Sequence, residues 1–119
     1  MRLCSVYTPA VLGRVWPLVR FAVADTSMQP ALEPGDRVVA VRWLRPCAGQ
    51  IVVSRDPQQP ARLLIKRVYG RSQDGQYVLL GDNQRMSRDS RAFGPVPANL
   101  IVGPVLWRYL PPDRRGRIV

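Results

Sequence analysis

From Gly35 onward the chain is cut by turn-forming residues into short runs whose side chains suit a pleated sheet. The runs are Arg37 to Trp43 (RVVAVRW), Gln50 to Ser54 (QIVVS), Arg62 to Val68 (RLLIKRV), Gln76 to Leu80 (QYVLL) and Leu100 to Leu110 (LIVGPVLWRYL). They are rich in β-branched and aromatic residues, which pack well on a half-buried pleated surface. Between them stand Pro34-Gly35-Asp36, Pro46 with Gly49, Asp56-Pro57, Asp74-Gly75 and Gly81-Asp82-Asn83. These residues supply positive φ, fix φ, or bond their own backbone, so each set marks a reversal. The pattern predicts an all-β fold, a small and partly closed sheet. Pro104 has no N–H to give to a ladder, so it implies an edge, a bulge or a break into two shorter strands. At 119 residues, 46% hydrophobic, the chain can fill one core.

The N-terminal part reads differently. Residues 9 to 24 (PAVLGRVWPLVRFAVA) are apolar but contain Arg14 and Arg20, and the stretch is shorter than the roughly 20 residues of a comfortable membrane span. Leu12, Val15, Trp16, Val19, Ala22 and Val23 recur at helical spacing opposite Gly13, Arg14, Pro17 and Arg20, which suits an interfacial helix. Packing on the domain's own core is the alternative, and Pro17 costs about 3 kcal/mol unless the helix starts there. No long charge-free stretch leads to a small-residue cleavage site, which argues against a cleaved secretory signal. The expected organisation is an apolar or amphipathic segment at 1–24, a domain at 25–112 and a flexible basic tail at 113–119. The expected location is the cytoplasm or the periphery of the cytoplasmic membrane, without a firm transmembrane span.

The formal charge of +10 points to an acidic partner: nucleic acid, anionic lipid or an acidic polypeptide. Histidine is absent. That removes the Ser-His-Asp triad, the Cys-His pair and most zinc sites, so a hydrolase must find its base elsewhere; the expectation is an enzyme with no metal and no cofactor. Cys4 and Cys47 belong to no CxxC or Cys/His cluster, and two buried or incidental thiols are the expectation. Lys66 is the sole lysine; every other basic residue is arginine. Arginine cannot deprotonate in a protein, whereas a desolvated lysine can, so Lys66 is a candidate for chemistry.

Three separated segments carry that chemistry: Ser27-Met28-Gln29-Pro30 with Leu32 and Gly35-Asp36, Lys66-Arg67 at the end of an apolar run, and Gly81-Asp82-Asn83 followed by Ser87, Asp89, Ser90 and Arg91. In order and spacing the trio resembles the type I signal peptidases, Ser-Lys proteases that include mitochondrial inner-membrane relatives. The resemblance implies that Ser27 is the nucleophile, Lys66 its general base and Ser87 the hydroxyl that orients the lysine amine. It implies further that Asp89 and Arg91 form a supporting ion pair beside Ser90, that Gly81, Asp82 and Asn83 shape the turn beneath the site, and that Met28 lines a pocket for small residues while Pro30 fixes the turn there. Met28 as ordinary core is the competing reading.

The residues agree with these roles on physical grounds. A serine hydroxyl needs a neighbouring base, and a neutral amine can serve. Lysine starts at a pKa of about 10.4, which burial lowers. Strand alternation puts Leu64, Lys66 and Val68 on one face and Arg67 on the other. Many members of the family have a hydroxyl or a glycine-containing turn just before the nucleophile; here Asp25 and Thr26 stand there, and an ionised Asp25 cannot donate to an oxyanion.

The implied activity is removal of an N-terminal signal or propeptide from a polypeptide bound in extended form, through an acyl-enzyme. An anionic membrane surface is a second expected partner and nucleic acid is not expected. The stretch between Lys66 and Gly81 is short, and with the ending Arg108-Tyr109-Leu110-Pro111-Pro112 it is similar to the maturation proteases of nickel-type superoxide dismutase. Two alternatives stand beside this. A self-cleaving SOS-repressor-type protease also pairs serine with a strand lysine, but no helix-turn-helix precedes Ser27. A basic nucleic-acid-binding β module has Trp43, Tyr69, Tyr77 and Trp107 for stacking, but its arginines are scattered over the whole chain.

Overall fold

The computed structural model describes residues 17–118. Seven strands form one antiparallel sheet: β1 (Leu18–Ala22), β2 (Arg37–Val41), β3 (Ile51–Asp56), β4 (Gln59–Arg71), β5 (Tyr77–Leu80), β6 (Ile101–Leu110) and β7 (Gly116–Arg117). Their order is β1-β2-β6-β3-β4-β5, with β7 pairing β6. The all-β expectation holds, although the sheet stays open because β1 and β5 do not meet. The only α-helix among the described residues is the single turn α1 (Ser90–Phe93).

Ile51, Val52 and Val53 are all buried, because β3 lies between β6 and β4 and carries a hydrophobic cluster on each side. Ile51 and Val53 join Val23, Met28, Leu32, Val38, Ala40, Val105 and Ile118. Val52 joins Val68, Tyr77, Leu79 and Val96. β6 is shared: it pairs with β2 from Val105 to Leu110 and with β3 from Ile101 to Pro104. The ladder is irregular on both sides of this handover, so Pro104 is accommodated at a break in pairing within a central strand. Gly103 is required beside it, since a Cβ there would collide with the Val41 carbonyl.

Two expectations about the ends are corrected. The helical reading fails over Leu18–Ala22, which is strand β1, registered against β2 from Leu18↔Val41 to Ala22↔Arg37. A backbone with an unpaired neighbouring edge offers more hydrogen bonds than a short helix interrupted at Pro17. Leu12, Val15, Trp16 and Cys4 lie outside the described residues. The tail at 113–119 is not loose over its described part: β7 pairs β6 and Ile118 is buried in the first cluster. A buried carboxylate holds it. Asp36 accepts from Arg108 at 3.1 Å and Arg114 at 3.2 Å, and also from the Glu33 amide at 2.9 Å. Cys47, expected as a thiol, is disulfide-bonded.

Asp36→Ala leaves Arg108, itself mostly buried, without its carboxylate. The expected loss is about 3 kcal/mol of stability, read as a lowered urea midpoint with an unchanged slope.

Candidate active site

Ser27 lies in the turn after β1 and is buried, with Met28 beside it inserted into the first cluster. The turn is held from across the fold by the segment that follows β5. The Asn83 amide donates to the Ser27 carbonyl at 2.8 Å and the Asn83 side-chain amide to the Thr26 carbonyl at 3.0 Å. The Asp82 amide lies 3.5 Å from Met28 Sδ. Gly81 lets the two segments approach this closely: a Cβ at Gly81 would overlap Ser87 and stand 2.8 Å from the Ser27 carbonyl oxygen. Asp82 is in turn fixed by a two-pronged pair with Arg67, Nε to Oδ1 at 2.8 Å and Nη2 to Oδ2 at 2.7 Å.

Lys66 sits in β4 opposite Val52. Its face alternates with that of Ile65 and Arg67, so Lys66 and Val68 are buried while Arg67 reaches Asp82 on the other side. The Lys66 amine donates to Ser87 Oγ at 3.2 Å. Among the described residues it makes no ion pair, and its hydrogen bond goes to Ser87, not to Ser27. Burial is the main reason its pKa is lowered. Asp25 and Asp89 oppose the shift, while Arg88 and Arg91 add to it.

Ser87 is held by Asp89, to which its hydroxyl donates at 2.8 Å. Since the Ser87 proton is committed to that carboxylate, its lone pairs face the lysine. Asp89 is fully buried and also accepts from the Gly81 amide at 2.8 Å, the Arg91 amide at 3.1 Å, and Arg91 Nε and Nη2 at 3.0 and 3.1 Å. Ser90 accepts from the Leu79 amide at 2.9 Å and ties α1 to β5. The structure thus draws Lys66, Ser87, Asp89 and Arg91 into one chain of contacts, and Gly81 to Asn83 join it to the Ser27 turn.

A cavity of about 110 Å³ opens beside Ser27, lined by Phe21, Val23, Asp25, Met28, Val53 and Ile65 among others. Met28 is both core and pocket wall. Pro30 is exposed in the turn and is not part of the lining. The sequence reading gave no role to Arg88 or Asp56. Arg88 is ion-paired to the fully buried Asp56 at the end of β3 and lies over the Phe93 ring at 5.0 Å, a position from which it disfavours the lysine's charge. In the sequence Asp56-Pro57 shows only a turn, and nothing there signals a buried carboxylate.

A family model described as signal peptidase, peptidase S26, matches residues 2–74 and 71–110. The mitochondrial ATP-independent inner membrane protease subunit 1b of Arabidopsis thaliana is 37% identical over 111 residues, covering 71% of this chain and 66% of that protein. The mitochondrial inner membrane protease subunit 2 of Schizosaccharomyces pombe is 34% identical over 120 residues, covering 81% of this chain and 67% of that protein. A probable signal peptidase I-1 of Synechocystis is 27% identical over 154 residues, covering 85% of this chain and 79% of that protein. The chain therefore spans about two thirds of the length of the first two relatives. The class these matches and the fold define is that of the peptidases. Within it, the chain belongs to the signal peptidase family, peptidase S26.

Burial alone would raise the Asp89 pKa, but hydrogen bonds from Arg91, the Gly81 amide and Ser87 outweigh it and hold the group at about 2. The folded value lies below that of an unfolded aspartate, so ionised Asp89 stabilises the fold above roughly pH 4 and loses that contribution as pH falls toward 2. Urea unfolding at pH 6 is expected to show Asp89→Asn less stable than wild type by about 2 kcal/mol, with the gap closing in acid.

Proposed function

We propose that this chain is a serine endopeptidase in which Ser27 is the nucleophile and Lys66 the general base, and that it removes an N-terminal signal or propeptide. The observation that carries this is the buried amine of Lys66. It makes no ion pair among the described residues and bonds one neutral hydroxyl, Ser87, which is itself anchored to Asp89. A lysine placed in this way loses its proton readily, and a neutral amine that donates one N–H to Ser87 keeps its lone pair for another partner. The same segments that hold Ser87 also clamp the Ser27 turn through Gly81 and Asn83. Hydrogen bonds of catalytic groups are often long before substrate is bound, so closure of the last gap between Ser27 and Lys66 is assigned to the substrate complex.

In the reaction the Ser27 hydroxyl proton passes to Lys66 as Oγ bonds the scissile carbonyl carbon, and the carbonyl electron pair moves to oxygen. Collapse breaks the C–N bond, with the Lys66 proton going to the leaving amine. Water then gives a proton to Lys66 and attacks the ester, and Ser27 departs with that proton restored.

The substrate enters as an extended strand. Phe21 and Ala22 lie on β1, the outer strand beyond β2, with Val23 to Asp25 following it, and Leu63 to Ile65 of β4 pair with β3 on one side only. Both flank the cavity next to Ser27, so a peptide laid between them gains main-chain hydrogen bonds and drops alternate side chains toward the pocket. The cavity is small, about 110 Å³, and small side chains are its proposed occupants. The ending Arg108 to Pro112 makes a nickel-type superoxide dismutase precursor the specific substrate to assay. The work is proposed to take place at a membrane surface, the two relatives being named as inner membrane proteases; no helix among the described residues is long and apolar enough to cross a membrane.

Ser27→Ala and Lys66→Arg are expected to remain folded and to lose at least about 10³-fold in kcat on an alanine-containing peptide. Arginine keeps the charge and removes the basicity, so cleavage by Lys66→Arg at the wild-type rate would refute the dyad. Wild-type kcat/KM should rise with pH through the lowered lysine pKa, because the neutral amine is the active form. Circular dichroism checks the folding of both variants.

A further inference from the structure

Acyl transfer needs a hydrogen-bond donor at the point where the carbonyl oxygen gains charge, and the backbone amide of the nucleophile is the nearest fixed one. In this structure the Ser27 amide is already in use: it donates to Asp25 Oδ1 at 3.0 Å. A carboxylate at that point occupies the donor and sets negative charge beside the place where negative charge must develop. Asp25 is exposed and lines the cavity next to Ser27. A scissile carbonyl approaching the Ser27 amide therefore meets Asp25 first, and nothing buries the Asp25 side chain in place.

We propose that Asp25 is a positioning residue that plugs the oxyanion donor of the resting enzyme, holding the Ser27 turn in shape until substrate displaces it. The inference rests on the Ser27–Lys66 reading and adds a residue that restrains that reaction. A second effect runs through the base. The groups acting on the Lys66 amine are Asp25, Asp89, Arg88 and Arg91, together with the hydroxyl of Ser87, and of the two carboxylates Asp25 opposes deprotonation more strongly. The plug and the charge both slow acylation, but they act at different pH. The effect of the charge on Lys66 matters only where Lys66 is partly protonated, whereas the plug acts at every pH.

The test is kcat and KM across pH for the full-length wild type, Asp25→Ala and Asp25→Asn, with Ser27→Ala as control, on a fluorogenic peptide with alanine at the first and third positions before the cleaved bond. Removing one oxyanion donor costs about 10²- to 10³-fold in kcat; freeing a plugged one should recover part of that. Asp25→Ala is expected to raise kcat on the alkaline plateau about 10-fold, with little change in KM. In both variants the acid limb should move to lower pH, because loss of the carboxylate lowers the Lys66 pKa. Asp25→Asn should gain less on the plateau, since its amide oxygen still accepts from the Ser27 amide without charge. A plateau kcat for Asp25→Ala equal to or below wild type overturns the plug; so does a loss in Asp25→Ala that Asp25→Asn restores, which marks a purely structural turn. Failure of the dyad looks different: wild type does not cleave the peptide, or Ser27→Ala cleaves it equally well, and then both proposals fall.

Discussion

The carboxylate of Asp89 is where the separate parts of the site are joined. It has no contact with solvent and is surrounded by donors: the Gly81 amide, the Ser87 hydroxyl, and the amide and guanidinium of Arg91. Its bond to Gly81 sets the segment that clamps the Ser27 turn, and its bond to Ser87 sets the hydroxyl that receives the Lys66 amine. A buried charge is costly unless fully paired, and a fully paired one admits few alternative arrangements. One side chain thus fixes the distance between loop and strand on which the proposed chemistry depends.

Around Lys66 the balance is between desolvation and charge. Burial favours the neutral amine, and Arg88 and Arg91 act in the same direction. Asp25 and Asp89 act against it. Asp89 is partly spent, since Arg91 takes both its oxygens, and Ser87 stands between it and the lysine. Interposing a neutral hydroxyl brings the amine a hydrogen bond without the direct ion pair that would keep it protonated. Arg88 is held for its part by the buried Asp56 at the end of β3, so one of the two cations near the amine is braced by an element remote in sequence from the loop that carries it.

Much of this was legible in the residue order. The strand runs were visible because β-branched side chains alternate with turn-forming sets, and β2, β3, β5 and β6 begin and end within a few residues of the expected runs. β4 extends well beyond Arg62–Val68 in both directions, because the hairpin pair Asp56↔Gln59 at one end and the pairing of Gly70 and Arg71 with β5 at the other carry it past its apolar run. The apolar residues of 9–24 fit a 3.6-residue period and also suit packing on the core, so their spacing leaves both open; at 18–22 the hydrogen-bonding edge of β2 decides for strand. Residues 113–118 looked solvated from composition, and two arginines reaching a buried aspartate reversed that.

What the sequence alone determined is the chemical inventory: no histidine, one lysine, a serine in a turn, and an apolar run that carries the lysine into a strand. Local spacing and side-chain type suffice for these, because turns, alternation and the set of available bases are properties of neighbours in the chain. Which groups meet was decided by the tertiary structure. Asp25 on the Ser27 amide, Arg88 on Asp56, and Gly81 pressed between Ser27 and Ser87 are contacts whose partners, apart from the first, lie many residues apart. Even that first contact depends on which way a short polar side chain turns. Such choices follow from burial and close approach, and those exist only once the sheet has brought the segments together.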